Sequence, residues 1–286
     1  MDKRLSEIQK KINGNDVIID VVSLSTEYHP AANSASFLIL KIVGNSDHYV
    51  IPINCYDFEF NFQLKDVENF FKLLSCKVYC FSKKKILHLI HLNNLIDLSL
   101  YMFLKTGETI DEDDYFTASY DFYRKRYPYH KELNKIIPMT NHVSKFLDIC
   151  KDIEPYVFNK IDSAYDNINI SVIETLKKIE SVGLAVNLEE FSKHFGDKMY
   201  LVSDNKVYTE YNLLTSTGRP SNRFGGINYA ALNKENECRK SFVSRHGEDG
   251  MLVMFDYSAY HPHIIAKLIN YNFPTGINIY EYLGKY

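Results

Sequence analysis

Apolar residues in the N-terminal part of the chain come in short runs, not at helical spacing. "VIIDVVSL" (17–24), "SASFLILKIV" (34–43) and "HYVIPIN" (48–54) are rich in β-branched and aromatic residues, and "GNSD" (44–47) supplies a turn between the last two. This pattern predicts a hairpin meander. "LKDVENFFKLL" (64–74) then switches to helical periodicity, and "KVYCF" (77–81) reads as a short buried strand. "KKKILHLIHLNNLIDLSLYMFLK" (83–105) carries apolar residues at helical and mixed spacing. From about 108 to 160 the chain is polar and helical, and its acidic "DEDD" and basic "RKR" read as solvated faces.

A second block begins near "NISVIETLKKIESVGLAVNLEEF" (169–191). Ile173, Leu176, Ile179 and Val182 recur at three- and four-residue spacing, and Gly183 follows as a helix C-cap. "VYTEYNLLTSTGRPSNRFGGINYAALNK" (207–234) holds too many Gly, Ser, Asn and Pro for a core element, so it predicts loop and turn beside a short strand. No internal repeat or low-complexity segment occurs.

Composition bounds the setting. At 286 residues, with 45% hydrophobic and 24% charged, the chain can bury two modest cores. Cysteines 55, 76, 80, 150 and 238 form no CxxC pair, which argues against a zinc ribbon or a secreted disulfide framework and for a reducing, cytoplasmic setting. The N-terminus has no apolar h-region and no apolar run is long enough for a membrane span, so neither targeting nor a membrane partner is expected. The formal net charge of −3 gives no global case for nucleic acid, so any such case is local.

That local case lies just upstream of one acid. Between Thr217 and Arg245 the six cations Arg219, Arg223, Lys234, Arg239, Lys240 and Arg245 face only Glu235 and Glu237, a local excess of four positive charges. The segment leads into "MLVMFDYSAYHPHIIAKL" (251–268), read as an apolar strand that ends on Asp256 before the chain turns into a helix at Pro262. Asp256 has two readings. It can cap the helix, or it can hold Mg²⁺, a hard ion that takes oxygen ligands and shares its shell with substrate phosphates, with the Tyr257 carbonyl as a second oxygen. The upstream arginines and Asn228 would contact phosphates, sugars or base edges.

The residues together resemble the family A (Pol I-like) DNA polymerases. The family signature runs from "TGR-x-S" through an Asn-containing loop and "R-x-x-F" to an apolar strand and "DYSQ-x-E-x-R"; here these stand as "TGRPS" (217–221), "GGINYAALN" (225–233), "RKSF" (239–242) and "DYSAYHPH" (256–263). "ETLKKIESVGLAVN" resembles the helix and turn that open the family's polymerase domain. The resemblance implies that Asp256 is the first of two aspartates holding a catalytic Mg²⁺ pair for in-line phosphoryl transfer, with Tyr257 giving its carbonyl. It implies that Arg219, Ser221, Asn228 and Arg239 touch primer-template DNA, and that Tyr260 and His261 face the incoming deoxynucleoside triphosphate. Arg223 and Arg245 match no signature position and read as solvated.

The chain departs from the family in several places. His261 stands where the family has the Glu that packs under the nucleotide sugar, and His263 where it has Arg, which leaves sugar selectivity open. "DYSAYHPHII" is also similar to the "D-x-x-S-L-Y-P-S-I-I" motif of family B polymerases, in which the residue matching His261 is a sugar-gating Tyr; "TGRPS" favours family A. The stretch from Gly183 to Thr217 is too short for the family's helical thumb, so a reduced thumb is expected.

The first block resembles the family's 3′–5′ proofreading domain, an RNase H-like fold whose chemistry uses four carboxylates around two metals. Asp20 is present in "IIDVV", but Val22 replaces the second acid of the D-x-E pair; lysines occupy "CFSKKKIL", and "IPMTNH" has no acid. Asp97 reads as structural. An inactive exonuclease is expected.

The reading is therefore an α+β or α/β chain. Residues 1–160 form a degenerate 3′–5′ exonuclease-like, RNase H-like domain. Residues 161–286 form the reduced thumb and first part of a family A palm, phage-type. The sequence ends at Tyr286 without a fingers motif or second aspartate, so a C-terminal polymerase chain is the expected partner in a split polymerase that polymerises only when complete. The alternative is a non-catalytic DNA-binding or scaffold module derived from a polymerase.

Overall fold

A run of seven residues with a single acid, Val17–Ser23 (β1), sets the architecture. In the computed structural model β1 lies at the centre of a five-stranded mixed sheet. Ala35–Ile42 (β2) pairs antiparallel to one side of it and is followed outward by His48–Pro52 (β3); Val78–Cys80 (β4) pairs parallel to the other side and is followed by Leu95–Asp97 (β5). The structure describes residues 2–23, 33–108, 138–158, 164–216, 218–222, 226–233, 235–253 and 255–285. The "DEDD" and "RKR" runs and Thr217, Arg223 and Lys234 fall outside them.

Alternation along β1 divides the core in two. Val17, Ile19 and Val21 face the helices Lys3–Ile12 (α1), Leu64–Lys72 (α2) and Lys83–Leu89 (α3), which contribute Leu5, Val67, Phe70 and Ile86. Ile18 and Val22 face Leu98–Thr106 (α4) and Met139–Phe158 (α5) through Met102, Phe146, Ile149 and Ile153. Burial on both faces explains why the strands read as continuous apolar runs.

The expected meander, the helix after it and the strand at "KVYCF" are all present. The mixed pattern of 83–105 resolves into α3, β5 and α4, because Leu95, Ile96 and Asp97 pair with β4 and only then does the chain turn helical. α1, with Asp2 as its N-cap and Leu5 and Ile12 buried, was not among the expected elements.

Ala164–Val182 (α6) ends at Gly183, whose φ of 63° is the left-handed cap expected there. Its buried stripe differs from the expected one. Ile173 and Leu176 are buried, but the stripe continues through Glu180, 2% exposed, while Ile179 and Val182 are 52% and 44% exposed. Glu180 can occupy the core because polar partners meet it there: the Lys84 ammonium and the His88 Nε2 of α3 lie at 2.5 and 2.8 Å.

The chain divides into two compact units, Met1–Val243 and Ser244–Tyr286. Among the described residues no helix is long and apolar enough to cross a membrane.

Candidate nucleic-acid interface and metal ligand

In the larger unit, Asn228 and Arg239 stand on one small scaffold. Leu184–Ala185 (β6), Val202–Ser203 (β7) and Lys206–Val207 (β8) form a three-stranded sheet backed by Leu188–Phe195 (α7). Asn187 starts α7 with its side chain accepting from Glu190 N at 3.1 Å. Phe242 returns the chain onto this sheet by bridging to Val186, and its ring lies 6.3 Å from Phe191 and 5.4 Å from Tyr229. Burial beside these rings pushes the Tyr229 phenol up to about 12.

Packing of Tyr229 fixes the neighbouring Asn228. Asn228 is exposed, precedes the single 3₁₀ turn Tyr229–Ala231 and makes no side-chain capping bond to it. Arg239, in the 3₁₀ turn Cys238–Ser241, donates from Nη2 to the Leu232 carbonyl at 3.2 Å. The loop with Asn228 and the turn with Arg239 are thereby tied together, both with exposed polar heads.

Arg219 and Ser221 belong to a different element of the same unit. Tyr211–Asn212 (β9) and Ser221–Asn222 (β10) pair antiparallel, with Ser221 opposite Asn212, so Gly218, Arg219 and Pro220 lie in the connection of a hairpin and Ser221 opens its second strand. Thr215 Oγ1 donates to the Arg219 carbonyl at 2.9 Å, which holds the turn. Both Arg219 and Ser221 are exposed.

Asp256 lies in the smaller unit. Residues 251–256 were expected as a strand; those of them that the structure describes have no ladder partner among the described residues, with Met251, Val253 and Phe255 exposed at 81%, 61% and 90%. An apolar run needs a neighbouring strand to become one. Asp256 does not cap the following helix. That helix, Tyr260–Leu268 (α8), has Ala259 at its N-cap with φ 50° and no side-chain bond. Pro262 sits in the first turn, where a missing N–H costs no intrahelical bond. Asp256, Tyr257, Tyr260 and His261 are all exposed; the Tyr257 and Tyr260 rings lie 5.3 Å apart, and Tyr260 meets His261 edge-on at 5.8 Å. The Asp256 carboxylate and adjacent Tyr257 carbonyl are the hard oxygens Mg²⁺ takes. Among the described residues, no group of three or more His, Cys, Asp or Glu side chains could hold a metal. One carboxylate does not make a two-metal site, so these residues fit part of such a site and not the whole.

Two acids, Asp20 and Asp97, lie in the strands of the large sheet. Asp20, half-buried on the face toward α4 and α5, accepts from Val21 N at 2.8 Å, and Val22 beside it is in the core. Asp97 is the N-cap of α4: Oδ1 accepts from Leu100 N at 3.1 Å and Ser99 Oγ at 2.7 Å, and Oδ2 accepts from Lys83 N at 2.9 Å. The structural reading of Asp97 thus holds. His142 of "IPMTNH" is fully buried with its ring edge-on to Phe37 at 5.8 Å. Sequence reasoning missed the cluster formed by Glu180, Lys84 and His88, in which Glu180 Oε1 also accepts from Tyr211 N at 2.7 Å and Lys84 Nζ bonds the Tyr211 carbonyl. Its signal was an acid in phase with Ile173 and Leu176.

No protein-family model matches the chain, and no curated protein matches it. Among solved structures it is similar in fold to the POL domain of Pol1 from M. smegmatis in complex with DNA primer-template and dNTP. The TM-score is 0.54 at 14% sequence identity, over 85% of this chain; the chain spans 58% of the length of that one.

Proposed function

We propose that the chain is part of a template-directed DNA polymerase of the family A type. What carries this reading is the fold likeness to a polymerase domain over 85% of the chain, together with the family A signature "TGRPS", "RKSF" and "DYSAYHPH" in order along it. Arg219 and Ser221 on the β9–β10 hairpin and Asn228 and Arg239 on the β6–β8 scaffold are the proposed contacts to primer-template DNA. Their exposed donors suit phosphate oxygens and base edges, and none is used up inside a core.

Asp256 and the Tyr257 carbonyl are the proposed ligands toward Mg²⁺, with Tyr260 and His261 beside the incoming deoxynucleoside triphosphate. When bound, a metal pair would neutralise charge on the transferring phosphoryl group. The second carboxylate belongs, in this reading, to a further polymerase segment in a C-terminal partner chain. The exposed apolar residues Met251, Leu252, Val253 and Phe255 support it, because a strand of that composition is built to be covered.

We assign residues 1–160 to an exonuclease-like, RNase H-like domain without proofreading activity and residues 161–286 to a reduced thumb and the first part of the palm. The sheet order with one antiparallel and one parallel wing around β1 supports the first assignment, and the use of Val22 in the core and Asp97 as a cap supports the loss of activity. The five free thiols favour a reducing compartment, the cytoplasm of a bacterial or phage-infected cell.

Primer extension by the chain supplemented with a family A fingers-and-palm segment tests the reading. Template-directed extension by the mixture and by neither part alone is the expected result. DNA binding without extension would favour the alternative, a non-catalytic DNA-binding module of polymerase shape.

A further inference from the structure

A cavity of about 760 Å³ opens in the larger unit beside the N-terminal ends of β4 and β5, between α3 and α6. Its polar lining is dominated by Lys77, Lys83, Lys177 and Lys178, against the single carboxylate of Glu174. Four lysines and one glutamate in one cleft stand out in a chain whose net charge is −3. Four ammonium groups lining one cleft favour an anion there.

Lys83 sharpens the point. It is 5% exposed, and its ammonium has three donors. Among the described residues its one acceptor is Glu174 Oε1 at 3.4 Å, a long contact to a side chain that is itself 53% exposed. A buried ammonium with donors to spare is costly unless a ligand fills them. Its neighbour Lys84 is spent on Glu180, so the two lysines have separate jobs. Among the described residues, no carboxylate lies within ion-pair distance of Lys77, Lys177 or Lys178.

The rest of the lining is of another kind. Leu87 and Leu95 give an apolar wall, and the Asn93 and Asn94 amides lie at its edge. The volume lies in the range of small-molecule sites, about 300–1,000 Å³. The cleft is on the α3 side of the sheet, whereas alternation along β1 turns Asp20 to the α4 and α5 side.

We propose that this cavity binds a free nucleotide, its phosphates on Lys83, Lys177 and Lys178 and its base or sugar against Leu87 and Leu95. None of the residues lining it is among those assigned to polymerisation, and the proposal does not depend on that assignment.

Equilibrium binding of dATP to the full chain, in the absence of DNA and divalent metal, tests it. Inorganic phosphate and a short single-stranded oligonucleotide are run alongside. The expected result is saturable dATP binding, competed weakly by phosphate, that is roughly tenfold weaker, or about 1.4 kcal/mol, in Lys177→Glu/Lys178→Glu. Lys178 is exposed and Lys177 half-buried, and neither belongs to the core, so this variant is expected to keep the fold; Lys83→Met, tested where circular dichroism matches the parent, is expected to lose binding. Absence of dATP binding, or binding indifferent to both variants, would overturn the proposal. So would an oligonucleotide that binds these lysines while dATP does not, because the cleft would then be a strand groove.

Discussion

The Glu180 carboxylate of α6, 2% exposed, takes the Lys84 ammonium of α3 at 2.5 Å. This contact joins the two sequence blocks: α3 belongs to the large sheet, and the same Glu180 oxygen accepts from Tyr211 N at 2.7 Å, at the foot of the hairpin bearing Arg219. Removing one partner of a buried pair leaves the other charge unsatisfied. Glu180→Ala is expected to lower unfolding free energy by about 3–5 kcal/mol in urea denaturation, and Glu180→Gln by less because it can still accept from Tyr211 N.

Asp97 is predicted to matter for stability and not for catalysis. It fills three bonds, so Asp97→Ala should cost about 2–3 kcal/mol from the lost cap and the donors left buried, while Asp97→Asn keeps the cap and costs less. With Mg²⁺ or Mn²⁺, the unmutated chain should leave the 3′ end of single-stranded DNA intact. Metal-dependent degradation that disappears in Asp20→Ala would contradict the assignment of an inactive exonuclease.

The thiols give a prediction in pH. Burial raises the pKa of Cys55, Cys80 and Cys150 above the ordinary value of 9.0. A raised folded pKa means the folded chain holds the proton more tightly than the unfolded one. The associated stability is full below pH 9.0, the unfolded value, and is lost as pH rises through it toward the folded values. Thermal midpoints should therefore fall progressively above that pH. In native protein at mildly alkaline pH, alkylation mapped by mass spectrometry should reach half-exposed Cys76 before buried Cys55, Cys80 and Cys150.

Binding of primer-template DNA should depend on the exposed cations. Arg219→Ala and Arg239→Ala are each expected to weaken it about tenfold, since a hydrogen bond to a charged group contributes about 1.5–3 kcal/mol. Each should also reduce the salt dependence by about one counterion if the contact is to phosphate. Fluorescence anisotropy over a salt series reads both.

Much of the large sheet was legible because β1, β2 and β4 are buried on both faces and so carry uninterrupted apolar runs. β5 was hidden because three residues, Leu95–Asp97, are too few to show a period beside the helix they lead into. Glu180 was missed because an acid at an apolar phase looks like the edge of a stripe until its partners are known; Lys84 and His88 sit far off in sequence. Asp256 shows a different limit of pattern reading. An apolar run predicts a strand, but a ladder needs a partner, and among the described residues that run has none.

The central claim is that Asp256 holds metal for nucleotide transfer. Primer extension by the chain with a complementing fingers-and-palm segment, comparing Asp256→Ala with the unmutated protein while DNA binding is followed in parallel, tests it most directly. Exposure of Asp256 and the absence of a capping bond at α8 mean the substitution should leave the fold and DNA binding unchanged. Extension should fall by at least about 10²-fold, because removal of preorganised charge stabilisation of a transition state has effects of about 10²–10³-fold. Extension by Asp256→Ala as fast as by the unmutated protein would contradict the account.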